Sequence, residues 1–99
     1  MRLTPQHVEV IRQATQQLAG DDARIRLFGS RANDDARGGD VDLMLELDHS
    51  IAEPAQLAAS LAARISRGMN GRKVDVLIRA PNLLELPIHQ IALEEGVLL

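Results

Sequence analysis

The sequence predicts a small α+β (α/β) domain, in which helices pack on a mixed sheet of three or four strands. Three observations carry this prediction: apolar residues recur at period two in three short runs, they recur at spacings of three and four in three longer runs, and proline or glycine separates most of these runs. The order of the segments is α-β-β-α-β-α. A chain of 99 residues suffices for one domain, 1–99, with one modest core.

Each predicted helix begins at a proline and ends near a glycine. The first opens at Thr4-Pro5, where a hydroxyl can cap the helix, and closes at Gly20. The second runs from 54 to 68 and the third from 87 to 96. Apolar spacing predicts the core-facing stripes of the first two helices: Val8, Ile11, Thr15 and Leu18, followed by Leu57, Leu61 and Ile65.

The predicted strands cover residues 24–28, 41–47 and 73–79. In the second, Val41, Leu43, Leu45 and Leu47 alternate with Asp42, Met44 and Glu46, so that one face is expected in the core. The closing residues 97–99 are expected to add an edge strand or to contact a partner.

Composition excludes several classes of function. The net charge of -3 provides no general basic footprint for duplex nucleic acid, and a single aromatic residue, Phe28, cannot form a stacking platform. The absence of cysteine excludes disulfides and thiolate chemistry. Neither a signal peptide nor an apolar run of about 18 residues is present, so we expect a soluble cytoplasmic protein without membrane contact.

Three carboxylates are candidates for chemistry. Asp40 and Asp42 point to the same side of the second strand, with Cα atoms roughly 6.6 Å apart. Asp75 lies on the third strand, which is expected to lie beside the second. Magnesium usually takes one or two carboxylates together with substrate phosphates, so this set suits a metal site for phosphoryl or nucleotidyl transfer. The alternative is that Asp40 and Asp42 are solvated residues of a half-exposed strand.

A second candidate is the turn Gly29-Ser30-Arg31, which directly follows the first strand. Backbone N–H groups and a hydroxyl there can contact a phosphate, and Arg31 can add a charge-assisted bond. The alternative is an ordinary turn that ends a strand. The loop of residues 29–40, rich in glycine and acidic residues, suits a binding loop better than a plain connection.

Two further groups of residues are interpreted structurally. His7, His49 and His89 lack metal-ligand spacing and are expected at the surface or its boundary. The aliphatic residues at 83, 84, 86 and 97–99 are numerous for a small domain. They belong either to the core or to a contact surface.

Taken together, these motifs resemble the nucleotidyltransferase superfamily that includes DNA polymerase beta. The segments 27–32 (Leu-Phe-Gly-Ser-Arg-Ala) and 39–43 (Gly-Asp-Val-Asp-Leu) look like its signature, and the closing segment 91–99 is similar to the minimal nucleotidyltransferase (MNT) branch of prokaryotes. Two departures stand out. The spacer of nine residues between Ser30 and Asp40 is one shorter than usual, and Gly39 stands where serine commonly precedes the first aspartate.

The resemblance implies the nucleotidyltransferase fold, with ATP as substrate and Mg²⁺ as cofactor. It implies that Gly29, Ser30 and Arg31 hold the nucleotide phosphates, that Asp40 and Asp42 bind Mg²⁺, and that Asp75 is the third catalytic and metal-binding carboxylate.

The resemblance also implies a partner. Many MNT proteins pair with HEPN-domain toxins in toxin–antitoxin modules, in which the MNT protein is a type VII-like antitoxin that transfers AMP to a tyrosine of the toxin (AMPylation). A hetero-oligomer with the toxin is then expected. Two alternatives stay open: an idle MNT-fold antitoxin that neutralises the toxin by binding alone, and a transferase acting on a small molecule of the aminoglycoside type.

Overall fold

Three helices and four strands follow one another within residues 3–29 and 41–99, the parts of the chain that the computed structural model describes. The elements are α1 (Pro5–Ala19), β1 (Arg24–Phe28), β2 (Val41–Glu46), α2 (Pro54–Gly68), β3 (Val74–Arg79), α3 (Pro87–Glu95) and β4 (Val97–Leu98). The predicted order is confirmed, and the closing residues do form an edge strand.

The helix boundaries follow from the local chemistry that the sequence indicates. At the start of α1 the Thr4 hydroxyl accepts a hydrogen bond from the His7 amide at 3.1 Å, which satisfies a donor that has no partner within the helix. The His7 ring accepts in return from the Thr4 amide at 3.4 Å. Gly20 ends α1 with a φ of +97°, a backbone conformation that favours glycine.

The sheet has the order β3-β2-β1-β4 and is mixed. β1 pairs antiparallel with both β2 and β4, whereas β2 pairs parallel with β3. A parallel pair needs a crossover connection, and α2 supplies it.

One face of the sheet carries the main core, formed with α1 and α2. Leu43, Leu45, Leu61 and Ile65 are fully buried there. The predicted stripe of α1 is correct for Ile11 and Thr15 but wrong for Leu18, which is 37% exposed. Ala14 lies in the core, and Ala19 rather than Leu18 packs against it in the last turn, because Ala19 follows Thr15 at a spacing of four.

The opposite face of the sheet is also covered, which the alternation in β2 does not predict. Phe28, Met44 and Ala92 form a second, smaller apolar cluster between the sheet and α3. Met44 is fully buried and Glu46 nearly so. At these two positions the strand face is therefore not half-exposed, as the alternative interpretation expects. The central strand therefore has both faces covered, except at its start.

None of the helices in residues 3–29 and 41–99 is long and apolar enough to cross a bilayer.

Candidate functional site

Asp42 and Asp75 lie side by side at one end of the sheet. They are register partners in the parallel pair of β2 and β3, so their side chains leave the same face of neighbouring strands. Such strands are about 4.8 Å apart. Asp42 is half-buried and Asp75 is exposed, so the pair opens to solvent on the Asp75 side. The predicted juxtaposition of these two carboxylates is confirmed.

Gly29 brings the end of β1 against the same carboxylate. Phe28 is the register partner of Asp42 on the other side of β2, and Gly29 follows it with a φ of +79°. A Cβ atom built on Gly29 would lie only 2.6 Å from Oδ2 of Asp42. Glycine therefore serves two purposes here: it permits the left-handed backbone conformation, and it leaves the space that the Asp42 carboxylate uses.

Three of the predicted site residues lie outside the described ranges: Ser30, Arg31 and Asp40. Their positions and roles stay predictions. The residue that follows Asp40 is described, and the Val41 amide donates to the Lys73 carbonyl at 2.9 Å. The start of β2 is thus held against β3 directly beside the Asp42–Asp75 pair.

The described side chains fit a divalent metal as part of a larger ligand set. No group of three or more His, Cys, Asp or Glu side chains with metal-binding geometry occurs in the described part of the chain. Magnesium, however, commonly takes one or two protein carboxylates and completes its shell with water and substrate phosphate. Two adjacent carboxylates, one of them beside a glycine that leaves space for it, satisfy that requirement.

The other end of the same sheet face carries a network of ion pairs. Arg26 on β1 donates to Glu46 on β2 at 2.6 Å, and Arg79 on β3 lies 3.6 Å from the second oxygen of Glu46. Arg79 also donates to Glu85 at 2.7 Å. This hydrogen bond from Arg79, together with one from Gln90, holds the pKa of the Glu85 carboxyl below its ordinary value of 4.5. The network links all three longer strands to the segment that leads into α3.

His89 is a buried residue of α3, so the expectation of a surface position for it is wrong. Only 3% of it is exposed, and both ring nitrogens have partners. Nδ1 accepts from the Leu86 amide at 2.8 Å, and Nε2 lies 3.0 Å from the Ile78 carbonyl. Because Nδ1 accepts, Nε2 carries the proton in a neutral ring and donates to that carbonyl. His89 therefore attaches the start of α3 to β3.

This role of His89 has only a weak signal in the sequence. His89 occupies the third position of α3 after the cap at Leu86, the place from which a side chain can reach back to the cap amide. A Pro-x-His pattern at 87–89 is the one local signal. The contact with β3 depends on how α3 crosses the sheet, which spacing does not determine.

Comparison with known proteins agrees with this geometry. A family model described as nucleotidyltransferase domain matches residues 8–99, which include every described element except the first turn of α1. No curated protein matches the sequence.

Proposed function

Because the chain belongs to the nucleotidyltransferase domain family, we propose that it transfers AMP from ATP to a hydroxyl group of a partner protein. The observation that supports this proposal most strongly is the register pairing of Asp42 with Asp75 beside Gly29. These positions combine two carboxylates with the first residue of a phosphate-binding turn at one end of the sheet. Positioning of the two reactants and neutralisation of charge supply most of the catalysis in such reactions.

The reaction is an in-line displacement at the α-phosphate of ATP. A bond forms between the acceptor oxygen and the α-phosphorus, the bond to the bridging oxygen breaks, and pyrophosphate leaves. In this proposal Asp75, the more exposed carboxylate of the pair, orients the acceptor hydroxyl and accepts its proton. Gly29 and Ser30 would hold the phosphates through backbone N–H groups and a hydroxyl, and Arg31 would add a charge-assisted bond.

Asp40 and Asp42 would hold Mg²⁺, with Asp75 as a further ligand. When bound, the ion neutralises the negative charge of the triphosphate. The Asp42 carboxylate is half-buried and lies in the space that Gly29 leaves beside it.

We further propose that the acceptor is a tyrosine of a HEPN-domain toxin, which would make this protein its antitoxin. The given sequence contains no tyrosine, so the acceptor cannot be a tyrosine within it. A macromolecular acceptor also suits a site at the open end of a sheet, where the outer carboxylate is accessible to another molecule.

The test combines purified protein, Mg²⁺, ATP labelled at the α-phosphate and a HEPN-domain protein as the acceptor. The Asp42→Asn and Asp75→Asn variants are expected to transfer about 100-fold less label or worse, because each loses a charge at the reacting centre. Asp48→Asn is the matched control, since this exposed aspartate lies just beyond the other end of β2. Its labelling should equal that of the unaltered protein.

Three outcomes contradict the proposal. Equal labelling by Asp42→Asn, Asp75→Asn and the unaltered protein would show that the carboxylate pair is not catalytic. Neutralisation of the toxin by Asp75→Asn without any labelling would instead support the antitoxin that acts by binding alone. Label on an added aminoglycoside but not on protein would support the small-molecule transferase.

A further inference from the structure

Four exposed aliphatic side chains lie in the first half of α3 and in the segment that leads into it. Leu84 is 80% exposed, and Leu86, Ile88 and Ile91 are each close to half exposed. Leu84 and Leu86 lead into the helix, and Ile88 and Ile91 are neighbours on it at a spacing of three. We refer to these four residues as the α3 patch. Exposed aliphatic residues that adjoin one another mark contact surfaces more often than single ones do.

The α3 patch is held on the sheet face that carries the aspartates. α3 packs on the cluster of Phe28 and Met44, and its first turn is attached to β3 through His89. At its other end Gly96 lies against β1, where an added Cβ would be 3.3 Å from Cβ of Phe28. Phe28 is the register partner of Asp42, so α3 ends close to the candidate site. The patch itself surrounds the opposite end of α3, near Arg79 and Glu85. A molecule seated on the patch therefore lies over the same sheet face as the carboxylate pair and reaches the pair by extending along α3.

The charge around the patch favours one kind of partner. Residues 80–99 contain three glutamates and neither lysine nor arginine, so this segment accounts for the whole net charge of -3. Glu85 is paired with Arg79. Glu94 and Glu95 have no salt bridge within residues 3–29 and 41–99, and Glu95 lies one turn beyond Ile91 on the same side of α3.

A second copy of this chain does not suit such a surface. In a symmetric dimer the same patch meets itself, so both copies would bring net negative charge to one interface. Like charges across an interface oppose association, whereas a patch of opposite charge assists it. The aliphatic surface with an acidic border is therefore complementary to an aliphatic surface with a basic border.

We propose that the α3 patch is the docking surface for the acceptor protein, and that the acceptor presents aliphatic side chains bordered by arginine or lysine. The naming of this partner as the acceptor rests on the proposed function. The docking itself requires neither nucleotide nor metal. The patch thus selects the protein that receives AMP, and the aspartates act on whichever hydroxyl the docked partner brings to them.

The binding test uses two synthetic amphipathic helices as probes, without ATP or Mg²⁺. Both carry leucine along one face; one has arginine along the edges of that face and the other has glutamate. The arginine-edged helix is expected to bind the full chain, with amide shifts in the NMR spectrum at residues 84–91. The double substitution Ile88→Ser/Ile91→Ser should weaken this binding about tenfold or more. Leu18→Ser, which alters an exposed leucine of α1, should leave it unchanged.

A second variant tests the charge border and keeps the experiment informative if the serine variant folds poorly. Glu94→Arg/Glu95→Arg should reverse the preference, so that the glutamate-edged helix binds better than the arginine-edged one. Equal binding of both helices to the unaltered chain would overturn the proposal. Self-association that Ile88→Ser/Ile91→Ser abolishes, measured by sedimentation, would overturn it as well and identify a second copy as the occupant.

The last arm separates this proposal from the proposed function. With the HEPN-domain protein as probe, Asp75→Asn should keep binding and lose labelling, whereas Ile88→Ser/Ile91→Ser should lose binding of the acceptor and keep binding of ATP. Loss of labelling in Asp75→Asn together with full acceptor binding by the serine variant would refute the docking surface alone. Binding of the acceptor that depends on the α3 patch, without labelling by the unaltered protein or any variant, would refute only the proposed transfer of AMP.

Discussion

Gly29 is the residue on which the geometry of the candidate site depends most directly. It satisfies two requirements at once, a φ of +79° and free space for Oδ2 of Asp42. Gly71 offers a natural comparison, because its φ of +80° is nearly the same and no atom lies within 4 Å of an added Cβ. The two glycines therefore separate backbone strain from displacement of the carboxylate.

The first prediction compares Gly29→Ala with Gly71→Ala. Both variants should lose about 1–2 kcal/mol in the free energy of unfolding, since each forces alanine into the left-handed region. Only Gly29→Ala should also lose nucleotidyl transfer, because its methyl group displaces the Asp42 carboxylate. Urea denaturation and the labelling reaction measure the two effects.

The contrast between the two variants is the critical result. Similar stability with a large difference in labelling would support a role for the Gly29–Asp42 contact in the reaction. Full labelling by a folded Gly29→Ala protein would show that the position of this carboxylate does not matter.

The candidate site could be predicted in part from single residues. The alternation in β2 and the lone aspartate of the next strand were enough to predict that Asp42 and Asp75 meet, because register on a sheet follows period two. The closeness of Gly29 to Asp42 was not predictable from spacing. It depends on the antiparallel register of β1 with β2, which the length of the connection between the two strands does not determine.

At the scale of elements, the helices and strands were predictable because their ends carry local signals. Proline begins each of α1, α2 and α3, and the apolar period changes from two to about 3.6 and back along the chain. The layering was less predictable. α3 has only nine residues and exposes both of its isoleucines, so its pattern does not reveal which face packs on the sheet. The buried residues of α3 are a small and a polar one, Ala92 and His89, and only Leu93 adds a half-buried aliphatic side chain beside them.

The second prediction concerns the attachment of α3 to the sheet. His89→Ala should lower the free energy of unfolding by about 1–3 kcal/mol, because it removes the partner of the Leu86 amide and of the buried Ile78 carbonyl. His49→Ala is the control, since His49 is exposed and lies in a connection. Urea denaturation measures the loss of stability.

Hydrogen exchange provides a second readout of the same substitution. The amides of α3 in His89→Ala should exchange faster than those of α1 and α2, because only α3 loses its attachment. Equal losses of stability in His49→Ala and His89→Ala would contradict this account. So would unchanged exchange rates in α3.

At the scale of the whole molecule, the two faces of the sheet have different tasks. The face under α1 and α2 holds most of the buried aliphatic residues and therefore most of the hydrophobic stabilisation. The face under α3 combines three zones in sequence: the carboxylate pair, the cluster of Phe28 and Met44, and the ion pairs around Glu46. The carboxylate pair and the ion pairs, at the two ends of this face, are thus separated by a short apolar segment.

Leu43 and Met44 provide a test of this division, because they are neighbours in β2, fully buried, and point to opposite faces. Leu43→Ala and Met44→Ala should each lower the free energy of unfolding by about 2–5 kcal/mol. A domain of this size is stable by about 5–15 kcal/mol, so both variants should remain mostly folded under native conditions.

Per folded molecule, however, the transfer rates of the two variants should differ. Leu43→Ala should retain labelling within about twofold, whereas Met44→Ala should lose about tenfold, because a cavity under α3 shifts the strands that hold Asp42 and Phe28. Denaturation curves give the folded fraction of each variant, by which its measured transfer rate is divided. Equal rates per folded molecule would show that one face does not stabilise the fold while the other positions the site.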